Sequence, residues 1–379
     1  MTLRSRTAIV GVGEADIAPG HGFSPLGLAA QASQRAVADA GLSKNDVDGV
    51  FVASSYHAFP ALSACEYMGL RPRYMDSSNN GGCSFISHLA HAAAAIDAGL
   101  CDVALVTYGS TQRSDGGHLV SLSEKLAYEE PYGLIHPVGS FGMIAHRHMA
   151  EFGTTREQLA SVAISAREWA IRNPKARFET PLTVDDVASS PIIATPLRKY
   201  DCCLVTDGGA AAVVTSAERA RSLRQPPVFV RGFAEEVNHR NILGMPDLTS
   251  TRAGECSARA LQMAGANLTD IDTAHIYDAF TISLLILLED LGFCEKGEGG
   301  QYVAEGNVAP GGTLALNPSG GGLSYLHPGM LGLYLILDAV EQLRGEAGQR
   351  QIPNASLSLV HGMGMTLAAH ATALLSIEA

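Results

Sequence analysis

Short apolar runs alternate with longer segments of helical periodicity over the first part of the chain. The apolar runs predict buried strands, and the longer segments predict helices, one of them opened by Ser24 as N-cap ahead of Pro25. Apolar strands that alternate with helices favour a parallel sheet covered on both faces. The predicted strands are Thr7–Val12, Val50–Ala53 and Asp102–Tyr108, and the predicted helices are Ser24–Ala40 and residues 84–98.

The pattern changes between Ser110 and Leu197, where charged, proline and aromatic residues are more frequent. We interpret this stretch as helices and loops inserted into the first half. A strand pattern with a glycine turn returns over Asp201–Ser216, and Arg219–Pro227 is typical of a linker.

After Val228 the order of elements repeats that of the first part, although no residue-level repeat accompanies it. The recurrence indicates two related βα halves, residues 1–225 with an insertion at about 110–197, and residues 226–379. The predicted elements of the second half are strands at Val228–Phe233, Ala274–Tyr277, Leu357–His361 and Ala369–Ile377, and helices at Glu255–Ala264, Ile282–Leu291 and about Gly329–Leu343.

The composition narrows the class of protein. Of 379 residues, 46% are apolar and 17% charged, which is typical of a globular protein with a large core, and the net charge of −12 argues against nucleic acid as a partner. No apolar run is long enough to cross a bilayer, and the N-terminus lacks the apolar core of a signal peptide. The seven cysteines have neither regular nor zinc-binding spacing, so we expect reduced thiols in a cytoplasmic protein without a metal site.

Cys83 is the candidate nucleophile. It follows Gly81 and Gly82 and precedes an alanine-rich helix that ends near Gly99. The start of a helix carries partial positive charge and free N–H groups, which favour the thiolate over the thiol. The alternative is a buried core cysteine, the commoner role of this residue type.

Three further stretches place polar side chains at turns. His327 follows a glycine run, Gly320–Gly322, that allows close approach of a ligand, and it is a candidate acid or base with Tyr325 as a proton donor. The alternative for His327 is a structural histidine. Tyr277 and Asp278 leave a predicted strand at its carboxyl end, where such folds place ligands, although Asp278 is equally suited to cap the next helix.

His361 leaves another predicted strand and is followed by Gly362 and Gly364. Its alternative role is a cap in a tight turn. A thiol together with histidine bases is the arrangement for acyl transfer through a thioester, and backbone N–H groups at the glycine turns could bind the oxyanion. We interpret His136, His146 and His148 as surface or pocket-rim residues.

These stretches resemble the thiolase superfamily over nearly the whole chain. The motifs NNGGCSF, YDAF, NPSGGGLSYLHPGM and HGMGM, with the long middle stretch from HMAEFGTT to PLRKYDCCLVTDGGAA, are similar to those of the sterol-carrier-protein and lipid-transfer-protein types. That branch includes bacterial thiolase-like enzymes of steroid and aromatic-acid degradation.

Three positions depart from the usual family pattern. If Ser84 matches the serine of the nucleophile motif, Gly82 takes the nucleophile's position and Cys83 lies one residue late. His361 stands where many thiolases carry a second cysteine, and Tyr277 with Asp278 replaces an asparagine-containing pair. Related lipid-transfer-type enzymes are retro-aldolases that often lack the cysteine and use tyrosines at positions like Tyr277 and Tyr325.

The resemblance implies a five-layered αβαβα thiolase fold and a homodimer. It implies a thiolase that cleaves a β-ketoacyl-CoA of bulky or aromatic type. In this enzyme His327 deprotonates Cys83, Cys83 is acylated, and His361 protonates the leaving carbanion. The alternatives are a retro-aldolase using Tyr325, Tyr277 and Asp278 on a β-hydroxyacyl-CoA, and a non-catalytic acyl-CoA carrier. The resemblance implies CoA as a substrate and no further cofactor, and a CoA site lined by Gly320, Gly321, Gly322, Gly362 and Gly364. It also implies a small OB-fold partner with a zinc ribbon.

Overall fold

The structure is a computed structural model that describes residues 3–17, 22–116, 127–178 and 180–379. Its first half forms strands and helices from the short apolar runs predicted above, and Ser24 caps the first helix by accepting from the Gly27 N–H. In order, the elements are β1 (Thr7–Glu14), α1 (Pro25–Asp39), β2 (Gly49–Val52), α2 (Pro60–Met68), β3 (Tyr74–Asp76), α3 (Ser84–Asp97) and β4 (Val103–Ser110).

The described residues of the predicted insertion form helices, loops and a short ribbon. Three helices and a two-stranded ribbon lie in these described residues before the chain returns to the main sheet through β7. The elements are α4 (Val138–Phe152), α5 (Arg156–Ala170), α6 (Val184–Ser189), β5 (Ile192–Ala194), β6 (Leu197–Arg198), β7 (Gly208–Ser216) and the short α7 (Ala217–Ala220).

The second half repeats the strand–helix alternation. Its elements are β8 (Val228–Val237), α8 (Ala253–Ala264), β9 (Thr273–Ile276), α9 (Thr281–Asp290), α10 (Gly299–Ala304), β10 (Ala315–Leu316), α11 (Gly332–Leu343), β11 (Leu357–Gly364) and β12 (Ala369–Ser376).

The main sheet has the strand order β10-β9-β11-β12-β8-β1-β7-β4-β2-β3. Numbered within each half, the five strands of both halves follow the same order, 3-2-4-5-1, and the first strands β1 and β8 pair with each other. Helices α3 and α11 contact each other and strands of both halves, α1 covers the first half, and α8 covers the second. This arrangement confirms the predicted five-layered fold.

The expectation of a parallel sheet is wrong, because the sheet is mixed. β7 is antiparallel to both β1 and β4, and β12 is antiparallel to both β11 and β8. Residues 365–368 alone join β11 to β12, and so short a connection reaches a neighbouring strand only in the antiparallel direction. Periodicity reports that a strand is buried and carries no information about its direction.

Two glycines let a helix lie directly on the first strand of each half. A Cβ on Gly11 of β1 would lie 2.1 Å from the carbonyl oxygen of Ala36, and a Cβ on Gly232 of β8 would lie 2.2 Å from that of Ala260. The atoms in the way belong to helix backbone, which cannot move aside as a side chain can. The same close approach therefore fixes α1 and α8 in the two halves.

We expect Gly11→Ala and Gly232→Ala each to lower the free energy of unfolding by about 1–3 kcal/mol, because the added methyl group overpacks a helix against a strand. Urea unfolding followed by circular dichroism measures this. Gly244→Ala is the matched control, because its Cβ would lie 3.7 Å from the nearest atom and fits without strain. Equal stability of Gly11→Ala and the control would contradict the proposed constraint.

Candidate functional site

A cavity of about 300 Å³, here called the Tyr277 cavity, lies where the two halves meet. Tyr277 follows β9, His327 precedes α11, and Gly81 and Gly82 form the turn before α3. A Cβ on Gly332 would lie 2.2 Å from the Gly82 carbonyl oxygen, so the starts of α3 and α11 touch through backbone. The rest of the wall is mainly apolar and includes Phe141, Phe280, Met330, Met363 and Val205.

Tyr277 and His327 form a hydrogen-bonded pair in this cavity. The Tyr277 hydroxyl lies 2.9 Å from His327 Nε2, and the Leu331 N–H donates to the same hydroxyl at 3.1 Å. Thr206 holds the His327 backbone, since its hydroxyl accepts from the His327 N–H and its own N–H donates to the His327 carbonyl. This geometry would allow His327 to exchange a proton with Tyr277, and its predicted role as an acid or base stays a prediction.

Burial sets the charge of this pair. Desolvation lowers the pKa of His327 to about 4 and raises the pKa of Tyr277 well above its ordinary value. At neutral pH the pair is therefore a neutral imidazole beside a neutral phenol. A neutral imidazole nitrogen at hydrogen-bond distance can accept the phenolic proton.

Gly82 leaves the space that the Tyr277 ring fills. A Cβ at position 82 would lie 2.2 Å from Tyr277 Cε2 and 2.7 Å from the hydroxyl oxygen. If Ser84 matches the serine of the family's nucleophile motif, position 82 is the position of the nucleophile. A side chain there and the Tyr277 ring in its present position exclude each other.

Cys83 lies beside this cavity and is not part of its described wall. Its side chain is 1% exposed, and its thiol donates to the Asn80 carbonyl at 3.3 Å. It does stand at the start of α3, as predicted. The expected preference for thiolate is wrong, because burial first and the Glu235 charge next raise the pKa of the Cys83 thiol. Its acylation stays a prediction.

His361 projects from the face of the sheet that also carries Thr372 and His370. Its Nδ1 lies 2.8 Å from the Thr372 hydroxyl on β12, and its Nε2 lies 3.3 Å from His370 Nδ1. A Cβ on the next residue, Gly362, would meet Cys83 Cα at 2.9 Å, so the two residues face opposite sides of the strand. Burial and His370 lower the pKa of His361, and its predicted role as a base stays untested.

Tyr325 lies in a different cavity from Tyr277. Its hydroxyl donates to the Glu14 carboxylate, which also pairs with Lys175 at 2.9 Å. These residues line a cavity of about 640 Å³ at the end of β1. Burial and Glu14 raise the pKa of Tyr325 well above its ordinary value. The structure therefore does not bring Tyr325 to Tyr277, and the predicted joint role of the two tyrosines in an aldolase stays untested.

Asp278 holds a turn and does not cap the next helix. Its carboxylate accepts from the backbone N–H groups of Gly322 at 2.7 Å and Leu323 at 3.2 Å, while Phe280 occupies the N-cap position of α9. The turn is a single π-helical turn, Gly321–Tyr325, that leads directly to His327. Asp278 is thus placed to position His327, and the idea that it caps the helix is wrong.

The five glycines predicted to line a ligand site pack closely against other parts of the chain, and their role at a CoA site stays a prediction. A Cβ on Gly321 would lie 2.3 Å from the Asp278 carboxylate, one on Gly320 2.6 Å from Ala170 Cβ, and one on Gly364 1.7 Å from the Asn80 carbonyl. Gly322 faces Asp278 and His327, and Gly362 faces Cys83. The close approach inferred from the sequence is real, but its partners belong to the chain itself.

Several residues of the site escaped the sequence analysis. Asn317 accepts from the Ile276 N–H at 2.7 Å and donates to the Ile276 carbonyl at 2.8 Å, which ties the glycine-rich stretch to β9. Phe141 of the insertion stacks on Phe280 with ring centroids 4.4 Å apart. The Asn-Pro pair was a usable signal for Asn317, but nothing local connects residues 141 and 280.

The three histidines of the insertion differ in their burial and surroundings. His136 lines the Tyr277 cavity and His146 is exposed, as expected. His148 is wholly buried and hydrogen-bonds Thr154 and Glu289, so its placement at the surface is wrong.

The described residues hold no group of three or more His, Cys, Asp or Glu suited to a metal ion, and no described helix is long and apolar enough to cross a membrane. All seven cysteines lie in the described residues as free thiols.

We expect Asp278→Asn to change how stability depends on pH. Burial raises the pKa of the Asp278 carboxyl from 3.8 to about 7. Between about pH 4 and pH 7 the folded protein keeps a proton that the unfolded chain releases, so this group's stabilisation is lost as pH rises. Asparagine does not titrate, so the free energy of unfolding of the variant should increase relative to that of the wild type as pH rises across this range. Urea unfolding at several pH values measures the difference, and a constant difference would contradict the assignment.

Comparison with known proteins agrees with this fold. The family model described as "Thiolase, N-terminal domain" matches residues 7–218, and "Thiolase C-terminal domain-like" matches residues 234–377. The solved structure titled "Ltp2-ChsH2(DUF35) aldolase" superposes with a TM-score of 0.90 at 32% identity, over 99% of this chain and 98% of that chain.

Two curated relatives span most of the chain and carry different activities in their names. The 17-hydroxy-3-oxo-4-pregnene-20-carboxyl-CoA lyase of Mycobacterium tuberculosis is 35% identical over 90% of this chain and 92% of its own length. The acetyl-CoA acetyltransferase of Methanothermobacter thermautotrophicus is 32% identical over 95% of this chain and 96% of its own. On both family matches and these relatives, the chain belongs to the thiolase family.

Proposed function

We propose that this protein is a CoA-dependent aldolase of the thiolase family that cleaves a β-hydroxyacyl-CoA without an acyl-enzyme. The proposal depends on the position of the Tyr277 hydroxyl. It is hydrogen-bonded to His327 and occupies the space that a side chain at position 82 would need. A cavity that offers a phenol and a neutral imidazole at this point is suited to moving a proton.

In the proposed reaction, the substrate's β-hydroxyl gives its proton to the Tyr277 oxygen as Tyr277 passes its own proton to His327 Nε2. The bond between Cα and Cβ then breaks, and its electron pair forms the thioester enolate while Cβ becomes the carbonyl carbon. His327 returns the proton through Tyr277 to Cα. The products are an aldehyde or ketone and a shortened acyl-CoA, with no net gain or loss of protons.

The surroundings favour the passage of the Tyr277 proton to His327, because they stabilise partial negative charge on the Tyr277 oxygen until the substrate proton reaches it. The Leu331 N–H points at the Tyr277 oxygen, and α11 begins at the next residue, so the positive end of that helix lies close. The apolar wall around Phe141 and Phe280 excludes water, which strengthens these interactions. Asp278 supports them by holding the turn before His327.

The comparisons support this proposal and a second one. The Mycobacterium tuberculosis relative is named a lyase and the superposed structure is named an aldolase, which favours the first proposal. The acetyltransferase relative matches 95% of the chain, which favours the second, thiolase chemistry through Cys83. For a thiolase, Cys83 would have to reach the acyl-CoA thioester from its present site beside the cavity.

We also propose the partners that the resemblance implies. A homodimer is the assembly expected of this fold, and the solved aldolase is named as a complex with a DUF35 protein. A small OB-fold subunit with a zinc ribbon would take the equivalent role here. The acyl group is proposed to be bulky and apolar, in keeping with the walls of the Tyr277 cavity.

We expect Tyr277→Phe to lower kcat for carbonyl release by about 10²- to 10⁴-fold, because the variant lacks the group that accepts the substrate proton. The assay follows ketone and acyl-CoA release from β-hydroxyacyl-CoAs without free CoA. Tyr325→Phe is the matched control, since it removes a hydroxyl that faces Glu14 in another cavity, and its kcat should stay near that of the wild type. Activity retained by Tyr277→Phe, or lost equally in both, would contradict the proposal.

The two candidate chemistries differ in covalent labelling. After incubation with acetyl-CoA and longer acyl-CoAs, we expect intact-protein mass spectrometry and peptide mapping to find no acyl group on Cys83, because burial keeps its thiol protonated. An adduct on Cys83 together with thiolysis lost in Cys83→Ala would establish the thiolase instead. Binding of acyl-CoA with neither adduct nor turnover would establish the non-catalytic carrier.

A further inference from the structure

A second cavity, here called the outer cavity, shares part of its wall with the Tyr277 cavity. This outer cavity has a volume of about 550 Å³ and shares Ile135, Val138 and Ile193 with the Tyr277 cavity. The shared residues come from β5, from the start of α4 and from the loop just before it, and they form the partition between the two cavities. A molecule that fills the Tyr277 cavity and extends past this partition enters the outer cavity.

The outer cavity has an apolar wall that is largely exposed. Tyr132 and Leu243 are 86% and 66% exposed, and Met143 also faces solvent. Exposed apolar side chains gathered around a concave site lose contact with water when an apolar ligand binds. Because the outer cavity shares a wall with the Tyr277 cavity, the far end of a substrate's acyl group is a ligand that could reach it.

One charged side chain stands in this apolar wall among the described residues. Glu129 is 2% exposed, and its Oε2 is hydrogen-bonded to His136 Nε2, while its Oε1 has no partner in the described structure. His136 itself lines the Tyr277 cavity and lies 3.1 Å from the Ser140 hydroxyl. A buried carboxyl oxygen without a donor is destabilising, and a ligand hydroxyl in the outer cavity would supply the missing hydrogen bond.

We propose that the outer cavity is a distal acyl subsite, in which Glu129 accepts a hydrogen bond from a hydroxyl group on an otherwise apolar acyl group. This inference rests on the proposed function for the identity of the ligand as an acyl-CoA. The subsite selects substrates long enough to pass Ile193, and Glu129 distinguishes a hydroxyl group from a carbonyl group at the same place. The selection acts on binding and leaves proton transfer at Tyr277 unchanged.

The test uses two small probes that need neither CoA nor turnover. The alcohol trans-4-cyclohexylcyclohexanol and the ketone 4-cyclohexylcyclohexanone have nearly the same shape, but the alcohol donates a hydrogen bond and the ketone only accepts one. For the full-length wild-type chain we expect the alcohol to bind about tenfold more tightly, as a hydrogen bond to a charged group would give. Titration followed by saturation-transfer NMR measures both affinities.

Two variants locate the binding. In Glu129→Gln the side-chain amide can donate to the ketone, so the preference for the alcohol should be lost or reversed. Ile193→Trp fills the partition and should weaken both probes at least about tenfold. Ile192→Trp is its matched control, because Ile192 is the preceding residue of β5, is 58% exposed and lines neither cavity. Melting temperatures check that each variant is folded.

The outcomes separate the subsite from the proposed function. Probe binding that depends on Glu129 and Ile193 in a protein that releases no carbonyl product would sustain the subsite and reject the aldolase. Carbonyl release from short β-hydroxyacyl-CoAs, with probes bound equally well by the wild type and both variants, would overturn the subsite and leave the aldolase standing. Equal affinity of the wild type for alcohol and ketone would overturn the role of Glu129.

Discussion

The site depends on a contact between two helix starts that only glycine permits. Gly332, the first residue of α11, has no room for a Cβ beside the Gly82 carbonyl, and Gly82 has none beside the Tyr277 ring. Gly332 and Gly82 have no side chains, so both can lie close to Tyr277. The positive ends of α3 and α11 therefore converge on one point. The two halves supply unequal parts there, since the second half provides the Tyr277 and His327 side chains and the first provides space.

Burial outweighs the helix dipole at this point. The dipole of α3 favours a thiolate at Cys83, but an exposure of 1% removes the water that an anion needs, and the pKa of the thiol rises. The same desolvation keeps His327 neutral and able to accept a proton. A site built from two neutral groups avoids the cost of a buried charge until the substrate creates one.

Much of the fold could be predicted from the sequence, because strand and helix patterns depend on neighbours within a few residues. The site could be predicted only in part. Tyr277 and Asp278 are adjacent and point to different places, and Tyr325 and His327 are two residues apart but separated by the end of a π-helical turn. Side-chain direction at such turns follows from backbone dihedral angles that the sequence pattern does not report, so Tyr277 and His327 meet while Tyr325 and Asp278 do not line their cavity.

The mixed sheet also bears on the order in which the chain can assemble. In the second half, β11 and β12 are joined by residues 365–368, and their pairing closes a very short loop. In the first half, Val103 of β4 pairs with Thr215 of β7 across the whole insertion. Loop closure becomes more costly in entropy as the loop lengthens, and long-range strand pairing is slow. The β11–β12 pairing is therefore the less costly closure of the two, and we expect it to precede the β4–β7 pairing as the chain assembles.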